Sequence, residues 1–498
     1  VAVTAPEVPP RPDVDAIIGH NRLDAINVTD TGNAKRFVQL FREVVRYAPE
    51  TELWYVWSGT HWEPDVTGKV FALTAGVIRE MRLEALTLPD EPGEGGGPSP
   101  RQRLLNHALR TESEGARRRI ISVAPEDPDI VVRVEDLDVD DLAVTCVNGT
   151  VHLDTGDLTP SDPRHMATAC VQVPYEPEVR SGELNRYLDT FVPDPEDQAV
   201  LWAILGTALR GGNPCRMLPI LLGPTTSGKT QLMAAVHRLL GGYATTVNVS
   251  VFRGNLDDKP RPDLVKAMFT RIAAATEASK VWELHADQVK RLTGGDPVPY
   301  RDLYSGSVQA VPRFTPLIVT NEMPRVKGAD DAFKRRMIIF RFEHSLPSKD
   351  EDPAIRDRFI RDRRCLQAIL ANMVAGARSP IFRHGIKWDL LPPKFAGFQM
   401  EGFEELDHVG DFIRWMTEAG HLDVVNAVDV PASHCAKAAD LHGWYTQWVK
   451  KHGDRTDRDA MLNMRDFGAQ LRARGWETRA AMGTRWLGWR LASEQPWL

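Results

Sequence analysis

The stretch Leu221 to Leu232, LLGPTTSGKTQL, constrains this chain more than any other. It fits the pattern GxxxxGK[ST] in full, with Gly223, Pro224, Thr225, Thr226, Ser227, Gly228, Lys229 and Thr230 in register. An apolar run, MLPILL, precedes it and TQLMAAVHRLL follows, so the local order is strand, glycine-rich turn, helix. That order belongs to an α/β fold with a parallel sheet. Glycines let backbone N–H groups close round phosphates at the helix N-terminus. Lys229 would neutralise charge on the β and γ positions, and the Thr230 hydroxyl can ligate Mg²⁺.

A site that spends a nucleotide also needs an acid, and RIAAATEAS supplies one. The run Ile272 to Ala275 predicts a buried strand ending in Thr276 and Glu277, which puts a carboxylate at the strand's C-terminal edge, where ligands bind in such sheets. Glu277 is the candidate to polarise a water and to serve the metal. Thr276 occupies the place of a second acid, which leaves the metal's further ligand open. FTPLIVTNEMP predicts another strand, tipped by Asn321; its amide can sense a γ-phosphate, or it can simply open the turn with Met-Pro. DDAFKRRMIIFRF then sets Lys334, Arg335 and Arg336 before an apolar strand, Met337 to Phe340. These arginines read either as a solvated basic run or as guanidinium groups reaching a nucleotide on a neighbouring subunit.

The 498 residues allow several cores, and the net charge of −7 neither supports nor excludes a nucleic-acid partner. Cys146, Cys170, Cys215, Cys365 and Cys435 are dispersed without zinc-ligand spacing, which suits a reducing compartment. No apolar run reaches the length of a membrane span. The expected organisation is a Pro-rich disordered tail (1–25), an α+β N-terminal domain (26–180), a helical collar (181–212), the motor (213–345), a helical extension (346–400) and a basic winged-helix-like domain (401–498). The chain opens on Val, so a start upstream is left open.

Within the N-terminal part, Phe37, Leu40, Phe41, Val44 and Val45 predict one helix from Asn33 to Ala48, with Asp30 and Thr31 as caps. LWYVW, Ser58-Gly59 and THWEPD predict a hairpin. A second helix carries Val70, Leu73, Val77 and Met81. LPDEPGEGGGPSP reads as a flexible excursion, followed by a basic helical stretch with Arg117, Arg118 and Arg119. DIVVRV and LAVTCVNGTVHLDTGDLTP read as short strands turning at Asn148-Gly149 and Thr155-Gly156. LDVDD, Leu137 to Asp141, reads as a solvated turn. Towards the C-terminus, two helices and two strands joined by Met482-Gly483-Thr484 suggest a winged helix made basic by Arg472, Arg474, Arg479, Arg485 and Arg490.

Grip, acid-tipped strand, Asn-tipped strand and arginine pair follow one another within one compact region. Together with KRLTGGDPVPYRDLYS, LIVTNEMP, DDAFKRRMIIFRF, DTGNAKRFV, WYVWSGTHWEPD and VNGTVHLDTGDLTPSDP, this order resembles superfamily 3 helicases, the AAA+ P-loop motors of small viruses, phages and plasmids. More narrowly, it resembles the helicase portion of the phage/plasmid and poxvirus-type primase-helicase family, from about residue 28 to about residue 390.

The resemblance implies that Gly223 to Thr230 bind ATP, Glu277 is the Walker B acid, Asn321 the sensor, and Arg335 or Arg336 the finger. It also places Tyr300, Arg301 and Tyr304 on a hairpin in a central channel, approached by Lys290 and Arg291. A basic group beside an aromatic can hold phosphate and base of a single strand, whereas a solvated helix face remains open for Lys290 and Arg291. The expectation is an ATP- and Mg²⁺-dependent DNA helicase working as a homo-hexameric ring, 3′-to-5′ by the family's habit. It would act on single-stranded and forked DNA in a bacterial host's cytoplasm, without a primase domain of its own but with a separate primase as a partner, and without a membrane. The alternatives are an initiator or loader that uses ATP only to assemble, and a small-molecule kinase.

Overall fold

The computed structural model describes residues 27–92, 96–253, 262–276, 283–301, 307–327, 330–347, 353–404, 408–418, 422–424, 435–452, 461–473, 476, 478–480, 484–487 and 489–491. Its centre is a parallel sheet of β1 (Leu218–Leu222), β2 (Ala244–Val247), β3 (Ile272–Thr276), β4 (Thr315–Thr320) and β5 (Met337–Arg341). The strand order is β5-β1-β4-β3-β2, and every neighbouring pair is parallel. β1 is apolar throughout and the middles of β3, β4 and β5 are too, because both faces are covered; the edge strand β2, ATTV, exposes Thr246. Leu221, Ile272, Ala274, Leu317, Val319, Ile338 and Phe340 enter one core, while Leu218, Ile220, Ala273, Ala275, Ile318, Met337 and Ile339 enter the other. The period-two alternation of side chains along a strand separates them.

Helices α1 (Gly182–Phe191), α2 (Pro195–Leu209), α3 (Lys229–Leu240), α4 (Pro353–Arg361) and α5 (Arg363–Ala377) contribute to the first core. Helix α2 is buried continuously from Val200 to Leu209. It meets α5 where two glycines remove the side chains. A Cβ on Gly206 would stand 2.2 Å from the Met373 carbonyl oxygen, and one on Gly376 would stand 1.9 Å from the Trp202 carbonyl oxygen. Two backbones this close admit hydrogen atoms only.

The N-terminal part builds its own core around Phe37, Phe41, Val77, Met81 and Ile120. Its first helix is Asp30–Phe41, capped by Thr29, whose Oγ1 accepts from the Gly32 N–H. The helix expected to run to Ala48 therefore stops early, and Val45–Ala48 is a strand paired with Leu53–Trp57. Val45 faces inward under either period, so burial alone does not tell them apart; cross-strand pairing with Val56 decides. The expected hairpin is present, with Trp57 opposite Trp62. DIVVRV is not a full strand: Pro128–Ile130 and Val134–Asp136 are 3₁₀ turns, and between them Val131 forms an isolated parallel bridge with Tyr47, whose carbonyl accepts from the Val132 N–H. Pro128 has no N–H to give a ladder.

Ala143–Cys146, Gly149–His152 and Leu158–Thr159 form an antiparallel sheet, turning at Gly149 and Gly156 as expected. Val144, Cys146, Val151 and Leu153 share the first core with α2 and α3. At the other end of the chain, His408–Glu418, Ala438–His452 and Met464–Ala473 pack round Phe412, Tyr445 and Phe467, the last two stacked at 4.7 Å. Cys435–Lys437 and Thr478–Ala480 flank Thr484–Leu487 in an antiparallel sheet, one strand more than expected; Arg474 and the turn residues Met482 and Gly483 lie outside the described residues. Among the described residues, no helix is long and apolar enough to cross a membrane.

A phosphate-loop candidate site at the C-terminal edge of the sheet

Strand β1 ends at Leu222 and α3 begins at Lys229, so residues 223–228 form the loop at the sheet's C-terminal edge. Thr226 and Gly228 take positive φ, +62° and +82°. At Gly228 a side chain is excluded twice over: by that φ and because a Cβ would lie 2.7 Å from Phe191 Cδ2 and 2.9 Å from Tyr187 Cε2. The loop is braced from outside. Tyr187 Oη donates to the Gly228 carbonyl at 3.1 Å, and its ring stacks on Phe359 of α4 at 4.6 Å and tilts against Phe191. Thr226 Oγ1 donates to the Leu346 carbonyl at 2.6 Å, beyond β5. Tyr187→Phe keeps the stacking and leaves the Gly228 carbonyl with the Leu232 N–H as its remaining donor. A loss of about 1–2 kcal/mol is expected in denaturant unfolding; an unchanged midpoint would refute the brace.

Inside the loop, the buried Lys229 ammonium donates to the carbonyls of Gly223 (2.6 Å) and Pro224 (2.7 Å) and to Ser227 Oγ (2.9 Å). Ser227 Oγ itself donates to the Pro224 carbonyl at 2.8 Å. Burial pushes the Lys229 ammonium down to about 8. A cation held at the start of a helix among weak carbonyl acceptors is suited to an arriving anion. Thr230 is exposed at the second position of α3. Among the described residues, no group of three His, Cys, Asp or Glu could hold a metal ion.

Register fixes what stands beside the loop. Thr320 pairs with Leu222, so Asn321 follows its strand next to Gly223. Asn321 lines a cavity of about 460 Å³ with Gly223, Pro224, Glu322, Arg341 and Glu343. Strand β3 ends at Thr276, level with Val319; Glu277 lies outside the described residues. Arg341, a residue the motif reading passed over, closes β5 level with Leu222. The signal was present in the sequence as a lone charge ending an apolar strand.

Arg335 and Arg336 stand at the opposite edge. Met337 pairs with Leu218, and the Leu218 N–H donates to the Arg336 carbonyl at 2.7 Å. At the usual strand rise this puts them about 15 Å from the loop of the same chain, beyond the reach of an arginine. Arg335 is exposed. Arg336 Nη1 donates to the Ala332 carbonyl, and burial, with Arg216 nearby, lowers its pKa.

The segment expected as a channel hairpin is antiparallel, Val298–Arg301 against Ser307–Ala310. The side chains of Tyr300 and Arg301, and the whole of Tyr304, lie outside the described residues. Lys290 pairs with Asp287 at 2.8 Å and Asp330 at 2.9 Å, which raises its pKa. Asp330 also caps Asp331–Lys334, the turn leading to the arginines.

The aspartates read as a solvated turn are structural. Asp138 accepts from the Thr168 N–H and hydroxyl, and Asp141 Oδ1 accepts from Arg271 and Arg313.

Residues 34–193 match the family described as D5 N terminal like. A protein of Acanthamoeba polyphaga mimivirus, named a helicase by inference, is 24% identical over 215 residues, covering 42% of this chain and 22% of the relative. A similarly named protein of Invertebrate iridescent virus 3 is 28% identical over 177 residues, 34% of this chain and 19% of the relative. The matched part thus spans about a fifth of each relative's length. The solved A-form apo structure of the NrS-1 C-terminal region aligns over 92% of this chain and 98% of its own, at 10% identity and a TM-score of 0.43. The similarity to the helicase portion of phage and viral primase-helicases, read first from the motifs, is shown by the family match and the viral relatives.

Proposed function

We propose that this chain is the motor of a phage or plasmid replication helicase, a superfamily 3 AAA+ core that hydrolyses ATP with Mg²⁺ while travelling on single-stranded DNA. The observation that carries this reading is the split of the site across the sheet. The loop and Asn321 share one edge, while Arg335 and Arg336 share the other, so a site completed by arginine needs a second subunit. A kinase that closes on itself has no use for that separation. The helicase names of the viral relatives point the same way.

In this reading Lys229 holds the β and γ phosphates, Thr230 and Glu277 serve the metal, Glu277 orients the water and Asn321 senses the γ-phosphate. An arginine from the next protomer of a ring, proposed as a hexamer, completes the site. The hairpin with Tyr300, Arg301 and Tyr304 would follow the strand, 3′-to-5′, and a primase, in the same polypeptide or another, would be the replication partner. The C-terminal helices and three-stranded sheet have the element order of a winged helix and are the proposed duplex-binding unit.

Steady-state ATP hydrolysis with and without single-stranded DNA tests the motor. Stimulation by DNA is expected, together with a sedimentation shift to a ring on ATP addition. Hydrolysis indifferent to DNA, with assembly intact, would move the reading to a loader.

The pH dependence follows from Lys229. Its apo pKa is lowered to about 8 from 10.5, and a bound phosphate favours the charged form, so binding takes up a proton above that pH. Nucleotide affinity is expected to be flat below pH 8 and to fall by up to about tenfold per unit as pH rises above it. The apo fold has the opposite sign: the burial penalty is present below pH 8 and is relieved as pH rises towards 10.5. Calorimetric titration at several pH values checks the affinity; a flat profile through pH 9 would refute the lowered pKa of Lys229.

A further inference from the structure

Arg271 and Arg313 stand at the starts of β3 and β4, immediately before Ile272 and two residues before Thr315. Both reach to one loop of the preceding unit. Arg271, 4% exposed, donates through Nη2 to the carbonyls of Asp140 (2.6 Å) and Ala143 (3.3 Å). Its Nη1 donates to the Asp141 carbonyl (2.9 Å) and Asp141 Oδ1 (3.4 Å). Arg313 donates to Asp141 Oδ1 at 2.7 Å and to the Leu137 carbonyl at 3.3 Å.

The chain entering β1 joins this clasp through its backbone: the Gly211 N–H donates to the Asp141 carbonyl and the Gly212 N–H to the Arg313 carbonyl. A Cβ on Gly211 would stand 1.9 Å from Asp141 Oδ1, so the clasp also requires that glycine. A buried guanidinium satisfied by this many acceptors is rigid, because any shift leaves a charge unpaired.

We propose that Asp141 is a positioning residue: its carboxylate ties Arg271 to Arg313 and so sets β3 against β4. The far end of β3 is Thr276, level with Val319, and that of β4 carries Asn321. The preceding unit would thus align the tip of β3 with the sensor, whereas the loop on β1, which grips the nucleotide, is fixed by other contacts. This rests on the function proposed above.

The test is Asp141→Ala, measured for nucleotide affinity with a fluorescent ATP analogue, for hydrolysis and for melting temperature. The side chain is half exposed, so the variant should fold. Affinity is expected within about twofold of wild type and kcat down about tenfold, the cost of misplacing one reacting group against another. Asp141→Asn, which keeps Oδ1 as an acceptor, is expected to recover most of the rate. Combining Asp141→Ala with Arg313→Gln should cost less than the sum of the two, since both remove the Asp141–Arg313 pair. Should Asp141→Ala fail to fold, Arg313→Gln carries the same measurement.

An unchanged kcat, or affinity and kcat lost together with melting temperature, overturns the proposal and leaves the loop as packing. If the wild-type protein hydrolyses no ATP, the motor reading fails and this one falls with it. If wild type hydrolyses and the variant is indistinguishable from it, this inference fails alone.

Discussion

Lys229→Ala is expected to lower steady-state ATP hydrolysis by about a hundredfold or more, with little loss of fold. A cation held at the phosphates in a water-poor site stabilises charge that a solvated loop cannot, and removing one such group commonly costs 2–3 orders of magnitude. The cost to the apo protein is small for a reason visible in the loop. The ammonium gains three short contacts, with Gly223, Pro224 and Ser227, but its desolvation opposes them, as its lowered pKa records. Denaturant unfolding is therefore expected to change by no more than about 1 kcal/mol. Activity within about twofold of wild type would remove the loop from the chemistry altogether.

Gly206→Val is expected to have the largest effect on stability, about 4 kcal/mol or more, and to yield little folded protein. Even the first carbon of a side chain would stand 2.2 Å from the Met373 oxygen and 2.3 Å from the Ala377 nitrogen. Those are backbone atoms of α5, so no rotamer change relieves the overlap. The helices must part, and α2, buried from Val200 to Leu209, would lose its packing with them. A melting temperature within about 2 °C of wild type would mean that the helices do not cross this closely.

Four strands of the parallel sheet were legible because doubly covered strands read as apolar runs, and the loop because its chemistry needs fixed residues at fixed spacing; the edge strand Ala244–Val247, with two threonines, was not. Asn321 could be placed beside the loop once its strand was recognised, since neighbouring strand tips share one edge. What was not legible depends on partners distant in the chain. Asp141 looks like a surface acid until Arg271 and Arg313 arrive from 130 and 172 residues away. The first helix was read too long because Val44 and Val45 are buried whether the backbone is helical or extended, and the competing strand was set by Val56 across the turn. Arg341 escaped notice because no motif names it; only register with Leu222 brings it to the cavity.

The shared core of residues 144–173 with α2 and α3 also bears on how such a chain can change by recombination. An exchange between related genes at the collar, near residue 181, would pair halves of two different cores and leave neither filled.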